Sequence, residues 1–403
     1  MKVGIFGGTF NPPHIGHVLS AMTAANQLCL DVLLIVPAGV PPHKPIPAET
    51  PSADIRYFMT MTAFWNVDRT VVSNLEVKKP WPSYTIDTVL AIRQMYPDAD
   101  LFLLVGTDMF LTIETWKDHK KLLDIVTPVV FSRSSNDRRK INHYSKIIHD
   151  KYDVTAETVI NNAVQISSSE LREMLTKREG VRYIADTNYS YIIKNRFYSA
   201  KPNWDWLRSR AHSMLCEERI PHVDGCEKEA LRLAKRWSVD PDEAREAAIL
   251  HDITKRLTTY DHLRILEDRG IKVAELGHSE EKLLHSKTGA LLAKDVFGVS
   301  EAVADAIMWH TTGRACMSTL EKVIYLADYI EPTRDFPGVD ELRRLAYRNM
   351  DKALKMGLEM TVEDLTSRGI TPNHTTIDAI NYVNANKTRT ARSDSISHYD
   401  ERT

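Results

Sequence analysis

The strongest constraint on how this chain can fold is a change of pattern near its middle. Up to about residue 200, short apolar runs alternate with helical segments; from Trp204 onward the short runs vanish and only helical periodicity remains. Residues 2–6, 32–37, 70–75, 101–105, 125–131 and 164–167 read as strands. Between them, residues 15–29 read as a helix, Ser52 as the cap of a helix running to Trp65, and Ser83 as the cap of one running to Tyr96. Fully apolar strands separated by helices predict an α/β, doubly wound parallel sheet of Rossmann-like form, with helices on both faces. Beyond Pro202, helical period over 227–237, 242–250, 280–297, 320–330 and 340–356 predicts an all-α second half, with Pro241 in the first turn of its helix. The expected organisation is therefore two domains, 1–200 and 204–385, followed by a polar tail over 386–403 that is expected to fray. The basic stretch 132–153, with Arg133, Arg138, Arg139, Lys140 and Lys146, reads as a solvated loop.

Charge and cysteine usage narrow the function classes. Lys and Arg total 52 against 54 Asp and Glu, a net charge of −2, which argues against a generic grip on nucleic acid or anionic lipid. The longest apolar runs, 32–36 and 101–105, fall far short of the ~20 residues of a membrane span. Gly7, Gly8, Asn11 and His14 interrupt any apolar leader. The four cysteines form no C-x-x-C pair, as suits a reducing compartment. The expectation is a cytoplasmic enzyme with no nucleic-acid or membrane partner; a homo-oligomer is compatible with the sequence.

Between the first strand and the first helix stand Gly7-Gly8-Thr9-Phe10-Asn11-Pro12-Pro13-His14-Ile15-Gly16-His17. Glycines at such a junction let main-chain N–H groups approach a phosphate, and the helix N-terminus adds its positive end. The loop is neither a Walker A motif nor G-x-G-x-x-G. His14 and His17, three apart, lie on one helical face and can both donate to a polyphosphate. Further on, Ser167 and Glu170 form an S-x-x-E capping box, so free N–H groups, the hydroxyls of Ser167, Ser168 and Ser169, and Arg172 could hold phosphates from the opposite side.

These residues resemble the H-x-G-H nucleotidylyltransferase superfamily, and bacterial nicotinate-nucleotide adenylyltransferase in particular. Pro41-Pro42-His43-Lys44, Ser83-Tyr84-Thr85-Ile86-Asp87-Thr88 and Ile166-Ser167-Ser168-Ser169-Glu170-Leu171-Arg172 follow in the matching order, with Ser169 where the family has Thr. The resemblance, over about residues 1–198, implies that Gly7, Gly8, Thr9, Phe10, His14, His17, Gly106, Asp108, Ile166, Ser167, Ser168, Ser169 and Arg172 bind ATP. It implies that Lys44, Tyr84, Thr85 and Trp116 bind nicotinate mononucleotide, Trp116 by stacking on the pyridine ring. The mononucleotide phosphate would attack the α-phosphorus of ATP in line, with His17, Arg172 and Mg2+ stabilising charge and no general base needed. Nicotinamide mononucleotide or phosphopantetheine are the alternative acceptors.

The second half carries His222, His251-Asp252, His285, His310 and Asp328, each on or beside an expected helix. Four imidazoles and two carboxylates suffice for two divalent metals sharing an Asp bridge. His212, His262, His278 and His374 read as unrelated surface residues. The wording Arg219-x-x-His222-x-x-Gly225, His251-Asp252-Ile253-Thr254-Lys255, His310-Thr311-Thr312-Gly313-Arg314 and Ala327-Asp328-Tyr329-Ile330-Glu331-Pro332 resembles HD phosphohydrolases. More narrowly, it is similar to bacterial HD-domain hydrolases that cleave diadenosine tetraphosphate symmetrically to two ADP; Ser286 departs from the glycine frequent there. That resemblance, over about 206–385, implies a bound transition metal, iron by preference, with Lys255 a catalytic cation and Thr311, Thr312 and Arg314 binding phosphate. Hydrolysis of another nucleotide, or metal-dependent nucleotide sensing without turnover, are the rival readings of this half.

Overall fold

The computed structural model describes residues 1–403 except 41–46, 48, 80, 133–134, 161–163, 165, 272–282 and 398–403, with the side chains of 135 and 386–397 also left aside. The chain divides into two compact units, Met1–Asn203 and Trp204–Thr403.

In the first unit, β1 (Lys2–Gly8), β2 (Val32–Pro37), β3 (Thr70–Val72), β4 (Asp100–Gly106), β5 (Val126–Ser132) and β6 (Glu157–Ile160) form one parallel sheet in the order β3-β2-β1-β4-β5-β6. Both faces are apolar because alternate side chains feed separate cores: Leu34 and Val36 of β2 join Leu101 and Leu103 of β4 on one side, and Leu33 and Ile35 join Phe102 and Leu104 on the other. Around the sheet lie α1 (Ile15–Gln27), α2 (Ala53–Ala63), α3 (Thr85–Met95), α4 (Thr107–Phe110), α5 (His119–Leu123), α6 (Ser135–Tyr152), α7 (Ser168–Thr176) and α8 (Asp186–Lys194). The strand order reverses direction between β1 and β4, so a crevice opens at their carboxyl ends, where sheets of this kind bind ligands.

Three expectations for this half need correction. The sixth strand is Glu157–Ile160, not 164–167: it pairs with Val129–Ser132 and buries Val159, whereas Val164 is exposed. Ser52 does cap α2, accepting from Ile55 N, but Ser83 caps nothing. Tyr84 precedes α3 instead, and the Ser83 N–H donates to Val40 O at 3.0 Å. Residues 132–153 are not a loop; most of them form α6, whose Ile141 and Ile148 are fully buried and whose Tyr144 packs on the same core. The charges occupy the other face of that helix.

The second unit is helical: α9 (Trp204–Ser213), α10 (Ile220–Trp237), α11 (Pro241–Leu250), α12 (Thr259–Glu267), α13 (Leu284–Phe297), α14 (Glu301–Met308), α15 (Thr319–Ile330), α16 (Val339–Arg348), α17 (Met350–Ser367) and α18 (His374–Ser397). Its core runs through Ala230, Leu233, Ala247, Leu250, Val323, Ile324 and Leu354. The helix expected over 340–356 is two helices, because Asn349 is extended and its side chain caps α17 by accepting from Lys352 N. The tail expected to fray is largely the continuation of α18, anchored by buried Ala379 and Val383. Among the described residues, no helix is long and apolar enough to cross a membrane.

Candidate active sites

At the crevice, β1 delivers Gly7 and Gly8 and the chain turns through the cis peptide Asn11–Pro12 into α1. His14 is the N-cap of α1 and is buried; its main-chain N–H donates to His17 Nδ1 at 3.2 Å, and the two rings lie 3.7 Å apart, centre to centre. The histidines therefore form one close pair, their ring planes inclined by 30°, at a helix N-terminus. The late motif closes on the same loop from 156 and 161 residues away: Ser168 Oγ donates to Pro12 O at 3.0 Å, and Arg172 Nη1 to Asn11 O at 2.7 Å. The Ser167–Glu170 capping box is present, with Glu170 N donating to Ser167 Oγ and Ser167 N to Glu170 Oε2. Gly106 ends β4 as the N-cap of α4, and Asp108 lies exposed in the first turn.

Thr85 opens α3, so its N–H is among those left without intrahelical partners. Trp116 follows a short 3-10 turn (Ile113–Thr115) and packs on the β-sheet core. Its segment is braced on both sides. Glu114 accepts from Tyr144 (3.0 Å), Tyr152 (2.8 Å) and Lys151 (3.1 Å) of α6. Lys117 lies over the Tyr84 ring at 4.5 Å and reaches Asp87. The hydrogen bonds from Tyr152, Lys151 and Tyr144 hold the Glu114 carboxyl below its ordinary pKa. Lys44 lies outside the described residues.

In the helical unit, His222 of α10, His251 and Asp252 after α11, His285 of α13, His310 after α14 and Asp328 of α15 converge although more than 100 residues separate the first from the last. His222 Nε2 lies 3.3 Å from His251 Nε2 and 3.1 Å from Asp328 Oδ1. His285 Nε2 lies 3.3 Å from His310 Nε2 and 3.3 Å from Asp252 Oδ1. The far side of three of the four rings is fixed. His251 Nδ1–H donates to Ala248 O (2.7 Å) and His310 Nδ1–H to Ile307 O (2.6 Å), while His222 Nδ1 meets Glu331 Oε1 (3.0 Å). That leaves the Nε2 lone pairs facing one another, and Asp252 Oδ1, fully buried, accepts no hydrogen bond of good geometry. Converging lone pairs around an unsatisfied buried carboxylate oxygen are what a divalent cation satisfies, so the residues fit a metal centre.

Arginines hold both carboxylates. Arg219 Nη2 lies 2.5 Å from Asp252 Oδ2, and Arg334 Nη2 donates to Asp328 Oδ1 at 2.6 Å. Burial opposes ionisation of both Asp252 and Asp328, but the imidazoles and cations around them outweigh it and hold both well below the ordinary carboxylate range. Burial lowers the Lys255 pKa, with Asp252 opposing; its Nζ lies 2.9 Å from His285 Nε2. Beside the cluster opens a cavity of about 690 Å3, lined in part by His310, Thr311, Asp328, Tyr329, Arg334 and Phe336.

Residues 5–174 match the Cytidylyltransferase-like family and residues 219–333 the HD domain family. A probable nicotinate-nucleotide adenylyltransferase of Thermus thermophilus is 36% identical over 199 residues, which are 49% of this chain and 100% of that protein. The chain belongs to the nicotinate-nucleotide adenylyltransferase family. A Mycoplasma genitalium protein, named a probable nicotinate-nucleotide adenylyltransferase/Ap4A hydrolase, is 28% identical over 371 residues, 89% of this chain and 97% of its own. A Clostridium acetobutylicum crystal structure, described as a predicted HD superfamily hydrolase involved in NAD metabolism, shares 40% identity over 45% of this chain and 97% of its own, with a TM-score of 0.43.

Not every residue singled out in the sequence faces these sites. In the HD half of this adenylyltransferase-family chain, Thr311 Oγ1 comes within 3.2 Å of His310 Nε2, but Thr312 Oγ1 is buried and donates to Gly313 O. Arg314 is engaged by Glu321 (2.6 Å) and Asp305 (3.1 Å). These two hold the turn after α14 together rather than pointing into the cavity. His262, read as a surface residue, is buried against Thr288 Oγ1 at 2.8 Å. Glu331, Arg219 and Arg334 also reach the cluster, although their residue types alone do not mark them as site residues. Glu331 stands three residues beyond Asp328 and Arg219 three before His222, the helical spacing that signals a shared face. Gly225, one turn past His222, gives Glu331 room: a Cβ there would lie 2.5 Å from Glu331 Oε2.

Proposed function

We propose that the chain is a bifunctional enzyme: a nicotinate-nucleotide adenylyltransferase in its first half and a metal-dependent symmetrical diadenosine tetraphosphate hydrolase in its second. The first reading is supported by family membership and by one contact above all, the closure of Arg172 and Ser168 on the main chain of the loop that carries His14 and His17. With ATP in the crevice, the α1 N-terminus, the histidine pair, the α7 capping box and Arg172 would surround its phosphates with donors. The phosphate oxygen of nicotinate mononucleotide then forms a bond to the α-phosphorus while the bond to the β-phosphate oxygen breaks, and pyrophosphate leaves with its electron pair. His17 and Arg172 meet the charge that develops; Mg2+ accompanies ATP. The Thr85 end of α3 would take the nicotinate carboxylate and Trp116 the ring.

The second reading is carried by the cluster of four imidazoles and two carboxylates beside a cavity whose walls carry Tyr329, Phe336, Arg334 and Arg368 together with the carboxylates of Glu363 and Asp364. A bound divalent metal, iron by preference, supplies Lewis-acid polarisation and water activation there. Arg219 and Arg334 hold the two ligand carboxylates in place, and Lys255 and Thr311 face the position a phosphate would occupy. Water adds to one central phosphorus of diadenosine tetraphosphate, the central bridging P–O bond breaks, and two ADP result. The name of the Mycoplasma genitalium relative favours this substrate over other nucleotides.

Two assays on the full chain test both readings. ATP with nicotinate mononucleotide should give nicotinate adenine dinucleotide, with nicotinamide mononucleotide disfavoured by orders of magnitude because the amide mismatches the Thr85 donors. Protein loaded with Fe, Mn or Zn should turn diadenosine tetraphosphate into ADP alone. Release of AMP with ATP would replace symmetrical by asymmetrical cleavage, and tight nucleotide binding without turnover would make the helical half a sensor.

A further inference from the structure

Arg56 of α2 is 1% exposed, yet its guanidinium is held by main-chain carbonyls. Nη1 donates to Thr9 O (2.8 Å) and Ala38 O (2.7 Å), Nη2 to Gly39 O (2.9 Å) and Nε to Pro51 O (3.3 Å). Among the described residues, no carboxylate pairs with it. Burial lowers its pKa, but a guanidinium stays charged. A buried cation without a counter-charge is costly and persists where something else requires it.

Three of the four acceptors lie in two loops of the crevice, and the fourth, Pro51, just precedes α2. Thr9 is in the loop assigned to ATP. Ala38 and Gly39 follow β2, where the Ala38 N–H also donates to Gly8 O at 2.8 Å. From there the path continues to the other substrate: Val40 bridges to Pro82 and accepts from the Ser83 N–H at 3.0 Å, one residue before Tyr84 and two before Thr85. The opposite side of this path is also fixed. A Cβ on Gly39 would collide with the Glu76 carbonyl, and the buried Glu76 side chain accepts from Thr88 of α3 at 2.7 Å. A planar fork with donors in several directions can span such carbonyls; an ammonium on a flexible stem cannot do so in the same geometry.

We propose that Arg56 is a positioning residue that couples the two substrate subsites, so that filling the ATP loop orders the α3 end for the mononucleotide and the reverse. The proposal rests on the adenylyltransferase reading. Arg56 lies behind the loops and acts through Thr9 and Gly39, and the substrate phosphates supply the negative charge that its own surroundings lack.

The test is a pair of titrations on the full chain: nicotinate mononucleotide with and without a non-hydrolysable ATP analogue, in the wild type, R56K and R56M. The wild type should bind the mononucleotide at least about fivefold tighter when the analogue is present, and the analogue should gain equally from the mononucleotide. In R56K, which keeps the charge, and R56M, which keeps most of the volume, that ratio should fall towards one while KM for both substrates rises. A purely structural role would lower the active fraction and leave the ratio unchanged. G39A must displace an acceptor with Arg56 in place and should lower the ratio too, and the wild-type ratio, read without any variant, tests the coupling even if no variant folds. A wild-type ratio of one, or variants that keep the wild-type ratio and turnover, would overturn the coupling. Absence of any nicotinate adenine dinucleotide from the wild type would instead overturn the adenylyltransferase reading.

Discussion

The crevice of the first unit and the imidazole cluster of the second are built from different parts of the chain. At the crevice the contacts are mostly main chain: helix N-termini, a glycine turn, and side chains such as Arg172 and Ser168 that grip carbonyls of the loop. In the cluster, buried side chains face one another, with a second ring of Glu331, Arg219 and Arg334 aiming them. A main-chain site depends on loop geometry and loses function gradually as donors are removed. A cluster of buried lone pairs and carboxylates depends on its ion and fails when a ligand goes. Sites for phosphate compounds can thus rest on backbone conformation or on side-chain identity.

The largest effect expected is on the cluster. His251→Ala with Asp252→Ala should reduce hydrolysis of diadenosine tetraphosphate to background while adenylyl transfer stays within about twofold, since distant sites behave independently. Both assays on one preparation check it; loss of transfer in a folded double mutant would show the two sites to be coupled and the comparison to be false. Next, His17→Ala should lower adenylyl-transfer kcat by ~10²-fold or more, with hydrolysis unaffected, read by steady-state kinetics. Glu331→Gln keeps the shape beside His222 but weakens its aim. Metal affinity, measured by competition with a chelator, should fall by about 10- to 100-fold. A wild-type affinity would mean the outer ring is ornamental and the cluster simpler than drawn.

The smallest effect concerns the brace on the Trp116 segment. The folded-state pKa of Glu114 is depressed below its ordinary 4.5, so its contribution to stability is fully present above that value and is lost as pH falls through the folded pKa. Glu114→Gln should therefore melt slightly below the wild type at neutral pH, and the gap should close on acidification below 4.5. A gap that persists unchanged in acid would show that the Tyr144, Tyr152 and Lys151 contacts do not depend on the carboxylate charge.

Much of this was legible in the residues. The apolar runs of β1, β2, β4 and β5 are strands because only a sheet covered on both faces buries such runs, and the S-x-x-E and H-x-G-H spacings specify helix starts whatever surrounds them. The six residues His222, His251, Asp252, His285, His310 and Asp328 stood out by type and context, and the fold brings them together. Helix α6 was not legible as a helix, because its apolar stripe of Ile141, Tyr144 and Ile148 is thin among many charges and means something only against a core that covers it. Thr312 and Arg314 show the converse: a plausible ligand type beside a cluster was turned by its neighbours to Gly313, Glu321 and Asp305.

Hydrophobic period and capping are local and readable along the chain, so the α/β-then-α fold class and the residue types available for chemistry follow from the order of residues alone. Which polar groups satisfy one another depends on the packed fold. That Arg219 meets Asp252, that Glu331 meets His222, and that Arg56 gathers the carbonyls of Thr9, Ala38, Gly39 and Pro51 are contacts between distant positions. Nothing in local propensity selects them; they follow from the rule that a buried donor or acceptor must find a partner wherever the packed elements bring one within reach.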